Sequence, residues 1–170
     1  SFEIDDQKSA LKGRIQNLNL NTGKIGDKNK TPVKFSAQFQ FDKPKAEAKI
    51  EINTQLRFDI EQKSLDLQDL KTQIAGKLAT DSFDLQIDTA ALFLSAVESK
   101  SEQIKLSAKL GGAQELNAQV VLNKFLMQDK NLSIAELNLQ AQSKQAGASK
   151  QFTLKSNVKM ALDTQIVQLP

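Results

Sequence analysis

The chain has 170 residues and a formal net charge of +3, from 23 Lys+Arg against 20 Asp+Glu, and it contains no Cys, His, Trp or Tyr. Those absences exclude an imidazole base, a thiol nucleophile, a disulfide framework and the usual Cys/His zinc sites, so neither a metal nor another cofactor is expected. Only Arg14 and Arg57 are arginines and the charges of both signs are interspersed, which argues against a nucleic-acid partner.

The first ordered pattern is Ile15-Gln16-Asn17-Leu18-Asn19-Leu20, of the form I-x-x-L-x-L. A basic stretch, Lys24-Ile25-Gly26-Asp27-Lys28-Asn29-Lys30, follows; it reads first as a solvated loop and second as a contact for anionic lipid. From Val33 the chain alternates with period two: Val33, Phe35, Ala37, Phe39 and Phe41 against Lys34, Ser36, Gln38 and Gln40. Asp42-Lys43-Pro44-Lys45 then makes a plausible hairpin turn, because Pro pre-sets φ and cannot join a ladder. From Ala46 to Ile60, apolar residues and Thr54 keep one parity while Glu47, Lys49, Glu51, Asn53, Gln55, Arg57 and Asp59 take the other. Extended chain places alternate side chains on opposite faces, so this run is a strand with one apolar and one charged face, roughly 50 Å long at the usual rise.

Further alternating runs follow at Leu70–Leu78, Phe83–Ile87, Ile104–Leu110, Leu116–Leu122, Leu137–Ala141 and Val158–Leu162. Glu61–Ser64, Glu98–Glu102 and Gln128–Asn131 read as short polar connections. The parity slips at Leu67-Gln68-Asp69-Leu70 and at Ile134-Ala135-Glu136-Leu137-Asn138-Leu139, as it does at Ile15–Leu20. An extra residue that restores the apolar face is what a β-bulge supplies, and a bulge bends the strand. Two echoes suggest a loose internal repeat: Val33–Ala37 with Ile104–Ala108, and Ser64–Leu70 with Asn131–Leu137, although alternating strands also resemble one another without one.

The fold expected is therefore all-β: an antiparallel meander of long, bent strands in a curved, groove- or half-barrel-like sheet with an apolar concave face. Such a face must be covered, either by the sheet folding on itself or by something apolar. An outer-membrane barrel also alternates, but its interfacial girdles are rich in Trp and Tyr, which this chain lacks. The longest apolar run, Ala90–Leu94, is far short of the roughly 20 residues of a membrane-spanning helix. Carboxylate pairs such as Asp59/Glu61 and Glu47/Glu51 raise the question of acid–base chemistry. They are interleaved with Lys49 and Arg57 on the charged face, where solvated charges are the ordinary filler, so no enzyme is expected.

The segment Leu11-Lys12-Gly13-Arg14-Ile15-Gln16-Asn17-Leu18-Asn19-Leu20-Asn21-Thr22-Gly23 resembles the AsmA family of bacterial envelope proteins, in which N-L-x-L-x-T-G precedes a polar loop. In that family the loop leads into a P-V-x-[FL]-S strand, as in Pro32-Val33-Lys34-Phe35-Ser36, then a long alternating strand and a hairpin like Phe58–Leu70. The similarity covers roughly residues 10–78; beyond them only the style of alternation is shared. The resemblance implies a single β-groove fragment, 1–170, of the periplasmic part of an inner-membrane-anchored protein of Gram-negative bacteria, with the anchor outside this segment. It implies phospholipid or fatty acyl chains as ligands, transport toward the outer membrane, and envelope proteins as further partners.

The residue pattern is compatible with that function, because an acyl chain requires a continuous apolar track and nothing of His, Cys or metals. The side chains expected to line it are Val33, Phe35, Phe39, Phe41, Ile50, Ile52, Leu56 and Phe58; each is equally at home in the core of a sandwich. The alternative function is a structural or assembly β-module that binds protein through sheet edges and takes no lipid.

Overall fold

The structure is a computed structural model that describes residues 2–6, 11–42, 45–162 and 166–168. Eleven strands follow one another: β1 (Phe2–Asp6), β2 (Leu11–Thr22), β3 (Thr31–Asp42), β4 (Lys45–Asp59), β5 (Ser64–Leu78), β6 (Asp81–Ser95), β7 (Glu98–Gly111), β8 (Gln114–Gln128), β9 (Asn131–Gln145), β10 (Ala148–Ala161) and β11 (Ile166–Gln168). They form one sheet in sequence order, each strand antiparallel to the next, and the ends do not close into a barrel. The described residues include no helix. The expected all-β meander is thus what the chain forms.

The strands run to 15 residues, well beyond the usual ~5–6, because Pro and Gly are nearly absent from their interiors and the alternation is unbroken. They reverse in tight turns. At Asp129-Lys130 and Ala146-Gly147 both central residues have positive φ, the backbone of a two-residue turn whose twist matches that of its flanking strands. The turn expected at Asp42–Lys45 has residues 43 and 44 outside the described residues, between the end of β3 and the start of β4.

One expected connection is corrected. Glu98–Glu102 is the start of β7, not a loop, and the chain reverses just before it, at residues 96–97. Its charged residues Glu98, Lys100 and Glu102 alternate with the buried Ser99 and Ser101. The period of two is there, but written in serine on the inner side, so hydrophobicity does not register it.

The three parity slips are bulges. Register shifts fall between Gln16 and Asn19 against β3, between Asn53 and Gln55 opposite Leu67–Leu70, and between Ser156 and Val158 opposite Ile134–Leu137. Across β5 to β9 the register itself does not shift, because every strand carries its own extra residue. The ladders step over Asp69 and Ala90, over Glu102 and Lys124, and over Lys124 and Ala135. A line of bulges therefore crosses five strands, and the register shifts mark its ends against the unbulged β4 and β10. Each bulge turns the next apolar residue back to the same face.

A bulge leaves backbone carbonyls without ladder partners, and buried ones must be satisfied. Hydroxyls do this along the line. The Oγ1 of Thr54 donates to the carbonyl of Gln68 at 2.9 Å and that of Thr89 to Ala91 at 3.0 Å. The Oγ of Ser101 donates to the carbonyl of Gln103 at 3.1 Å, and Thr89 Oγ1 and Ser101 Oγ lie 2.9 Å apart. Thr89 and Ser101 are each only 6% exposed, so this seam is buried although the sheet has no second layer.

The lack of a second layer shows in the surface area. The chain exposes 11893 Å², against roughly 8,300 Å² for a compact protein of this mass. Ala37 and Ile134 are the buried hydrophobic residues among those described. Among the described residues, contacts between strands run only between neighbours in the sheet. The sheet does not fold on itself, so the sandwich alternative is not what the chain adopts.

Candidate functional site

The apolar face is the feature whose geometry asks for a function. The ladder registers align its side chains into rows that run perpendicular to the strands. One row passes from Leu20 through Phe35, Ile52, Thr72, Ile87, Leu106, Val120 and Leu139 to Leu154, crossing every strand from β2 to β10. Eight strand spacings of ~4.8 Å by a strand length of ~50 Å give a face of roughly 1,900 Å². The largest apolar patch on a typical monomer is ~300–600 Å², so this face exceeds an ordinary surface by threefold or more.

All eight side chains singled out from the sequence lie on this face, on the neighbouring strands β3 and β4. Phe35 sits opposite Ile52; Val33 faces Thr54, Phe39 faces Ala48, Phe41 faces Ala46, Ile50 faces Ala37 and Leu56 faces Thr31. Phe58 belongs to a separate row that passes onto Leu65 of β5 and Leu94 of β6. All eight are half-buried, covered only by their lateral neighbours within the sheet. The face extends well beyond them. Leu85, Ile87, Leu110, Phe152 and Leu154 belong to it and are among the exposed large hydrophobics, Phe152 at 55%. Those positions carry the same alternation that marked β3 and β4.

Sequence reasoning missed the hydroxyl seam. Thr54, Thr89, Ser99 and Ser101 interrupt the apolar face on β4, β6 and β7 at and beside the bulge line, while Leu67, Leu70, Leu122, Phe125, Ile134 and Leu137 carry it across on β5, β8 and β9. The serines and threonines among apolar neighbours were the available signal.

The opposite face is organised by short polar ladders. Arg57 grips Asp66 Oδ2 through Nε at 2.9 Å and Nη2 at 2.5 Å. Gln103 Nε2 donates to Asn123 Oδ1 at 2.9 Å; Glu136 accepts from Asn123 Nδ2 at 3.2 Å and from Asn138 Nδ2 at 2.9 Å. The amides of Asn138 first and Asn123 second hold the Glu136 carboxyl below the ordinary glutamate range.

Three of the four carboxylates considered for acid–base work, Glu51, Asp59 and Glu61, are engaged. Glu51 pairs with Lys49 at 2.5 Å. Glu61 stands in the turn after β4, where it accepts from Lys28 Nζ at 2.6 Å, with Asp59 at 3.8 Å from the same nitrogen. The Glu61 carboxylate, then Asp59, raise the pKa of Lys28. Asp27 Oδ1 also accepts from the Ile60 amide at 3.0 Å. The basic loop is therefore fastened to the β4–β5 turn, and Lys28 is committed within the molecule. Among the described residues no group of three or more carboxylates could hold a metal ion.

No family model, no curated protein and no solved structure matches the chain. The resemblance to the AsmA family rests on the segments between residues 10 and 78 quoted above.

Proposed function

We propose that this chain is a section of a periplasmic β-groove of the AsmA-like kind, belonging to a protein anchored in the inner membrane. In this reading the apolar face carries the acyl chains of phospholipids for transport toward the outer membrane, and the chain is a binding element, not an enzyme. The observation that carries the reading is the continuous apolar face of a single-layered, open sheet. Covering a strip of about 300 Å² would contribute roughly 7 kcal/mol at 25 cal/mol per Å². That attraction is non-directional, so a chain can slide along the face without breaking specific bonds.

The test is native mass spectrometry and lipid extraction of the purified protein, followed by uptake of a fluorescent fatty acid. Co-purifying phospholipid and saturable uptake are expected. Phe39→Asp should lower uptake at least fivefold while far-UV circular dichroism still reports a β-sheet. A stable, monodisperse, lipid-free protein that takes up no fatty acid would refute the reading.

One observation favours a second reading, a structural or assembly module. Among the described residues, the outer edge of β10 is paired only at Lys159, Met160 and Ala161, leaving most of its 14 residues open to strand addition by another protein. Envelope proteins would then be the partners. Undiminished binding of such a partner by the lipid-free protein, with no fatty-acid uptake, is the outcome that selects it.

A further inference from the structure

The polar face holds a depression that its charged side chains alone do not explain. It lies where the bulge line crosses β5 to β9 and measures about 520 Å³, within the range of small-molecule sites. Its lining includes Leu67, Leu92, Phe93, Phe125 and Leu126; of these, Phe93 and Leu126 stand in register with the polar-face residues Asp66 and Lys100. They flank Lys100 in the register Phe93–Lys100–Leu126. Lys100 Nζ sits 5.3 Å from the centre of the Phe93 ring and pairs with Glu98 at 2.5 Å.

The charges at this depression are unevenly satisfied. Asp66 is neutralised by Arg57 and Lys100 by Glu98. Glu102 and Lys124 stand opposite each other on β7 and β8, at the position both ladder pairings step over. Neither has an ion pair among the described residues, although three other oppositely charged pairs on this face close to 2.5 Å. What remains open is one positive and one negative charge beside an apolar wall. An anion alone would face Glu102 and a cation alone would face Lys124, so the complementary ligand is net neutral. A carboxylate also needs N–H donors, which a primary ammonium supplies and a quaternary one does not.

We propose that this depression binds a zwitterionic amphiphile, with its anionic oxygens on Lys124, its primary ammonium on Glu102 and its apolar part against Phe93 and Leu126. The site is on the face opposite the apolar rows and stands independently of the function proposed for them.

The experiment is a ¹⁵N NMR titration of the whole chain with dihexanoyl phosphatidylethanolamine below its micelle concentration. Shifts should concentrate at Phe93, Glu102, Lys124 and Leu126. The phosphatidylglycerol analogue, which lacks the ammonium, should bind at least fivefold more weakly, as should free phosphoethanolamine, which lacks the chains. Glu102→Gln and Lys124→Gln should each weaken binding at least fivefold, while the exchanged pair E102K/K124E should stay within twofold of the parent. Equal affinity for the two head groups, singles that bind like the parent, or shifts confined to apolar-face residues such as Phe35 and Ile52 would overturn the proposal. The last outcome would leave the acyl-chain reading standing. Loss of fatty-acid uptake in Phe39→Asp with these shifts intact would separate the two sites in the other direction.

Discussion

Asp69 holds a φ of 50° in the interior of a fifteen-residue strand, and Asn17 and Lys124 hold 51° and 52° in theirs. The left-handed region costs an L-residue about 1–2 kcal/mol, least for Asn and Asp, and two of the three positions are occupied by those types. Asp69→Val is expected to destabilise the protein by about 1–2 kcal/mol in urea unfolding, because a β-branched side chain is the least tolerant there, while Asp69→Gly should stay near the parent. Glu136 makes a second test at this scale. Its folded pKa is depressed by its bonds to Asn138 and Asn123, so its contribution is present above the unfolded glutamate pKa and is lost as pH falls through the folded value. Carboxyl NMR should place the Glu136 midpoint below that of a glutamate in the unfolded chain, and Asn138→Ala should raise it. The slips in parity at Asp69 and at Ile134–Leu139 were legible because an aliphatic residue reappears one place late. Which residue takes the positive φ was not, since that depends on the strand opposite.

The strands themselves follow from their own residues: period-two alternation over 12 to 15 positions leaves no helical face to bury. The beginning of β7 escaped because its inward positions are Ser99 and Ser101. Their burial has a reason at the level of the bulge line, where hydroxyls supply the donors that displaced carbonyls lack. Removing one such donor should leave a buried carbonyl unpaired, a loss of about 1–3 kcal/mol. Thr89→Val is expected to cost that much, and Ser101→Ala a similar amount. Because Thr89 Oγ1 and Ser101 Oγ also touch each other, the double variant should cost less than the sum of the two, by about 0.5 kcal/mol or more in a double-mutant cycle. Strict additivity would show that the two hydroxyls act separately. The two sequence echoes also gain a structural meaning at this scale. Val33–Ala37 and Ile104–Ala108 lie in β3 and β7, and Ser64–Leu70 and Asn131–Leu137 lie in β5 and β9, so both displacements equal four strands.

A sheet in which each strand touches only its neighbours has the energetics of a linear array, where stability is a sum of local and nearest-neighbour terms. Protection of backbone amides in hydrogen exchange should therefore be greatest in β5 to β8 and decline toward β2 and β10, where one partner strand is short. Uniform protection over the whole sheet would contradict this picture, and so would a protected edge. Bound lipid should raise the whole profile, by about 2.7 kcal/mol at a free concentration a hundred times Kd. The amino-acid sequence by itself determined the strand class, the order of the meander, the positions of three of the bulges and the apolar members of the face, including Val33, Phe35, Phe39, Phe41, Ile50, Ile52, Leu56 and Phe58. All of these depend on which neighbours share a parity, and parity is local. Whether the apolar face would be covered was not local: a sandwich and an open sheet require the same alternation. The tertiary structure decided for a single open layer, because consecutive strands stay hydrogen-bonded in sequence order and none of the described segments crosses back over the face. It also decided the polar-face depression. The apolar runs Ala90–Leu94 and Phe125–Met127 must send some residue to the charged side, but only the cross-strand register brings Phe93, Lys100 and Leu126 together there.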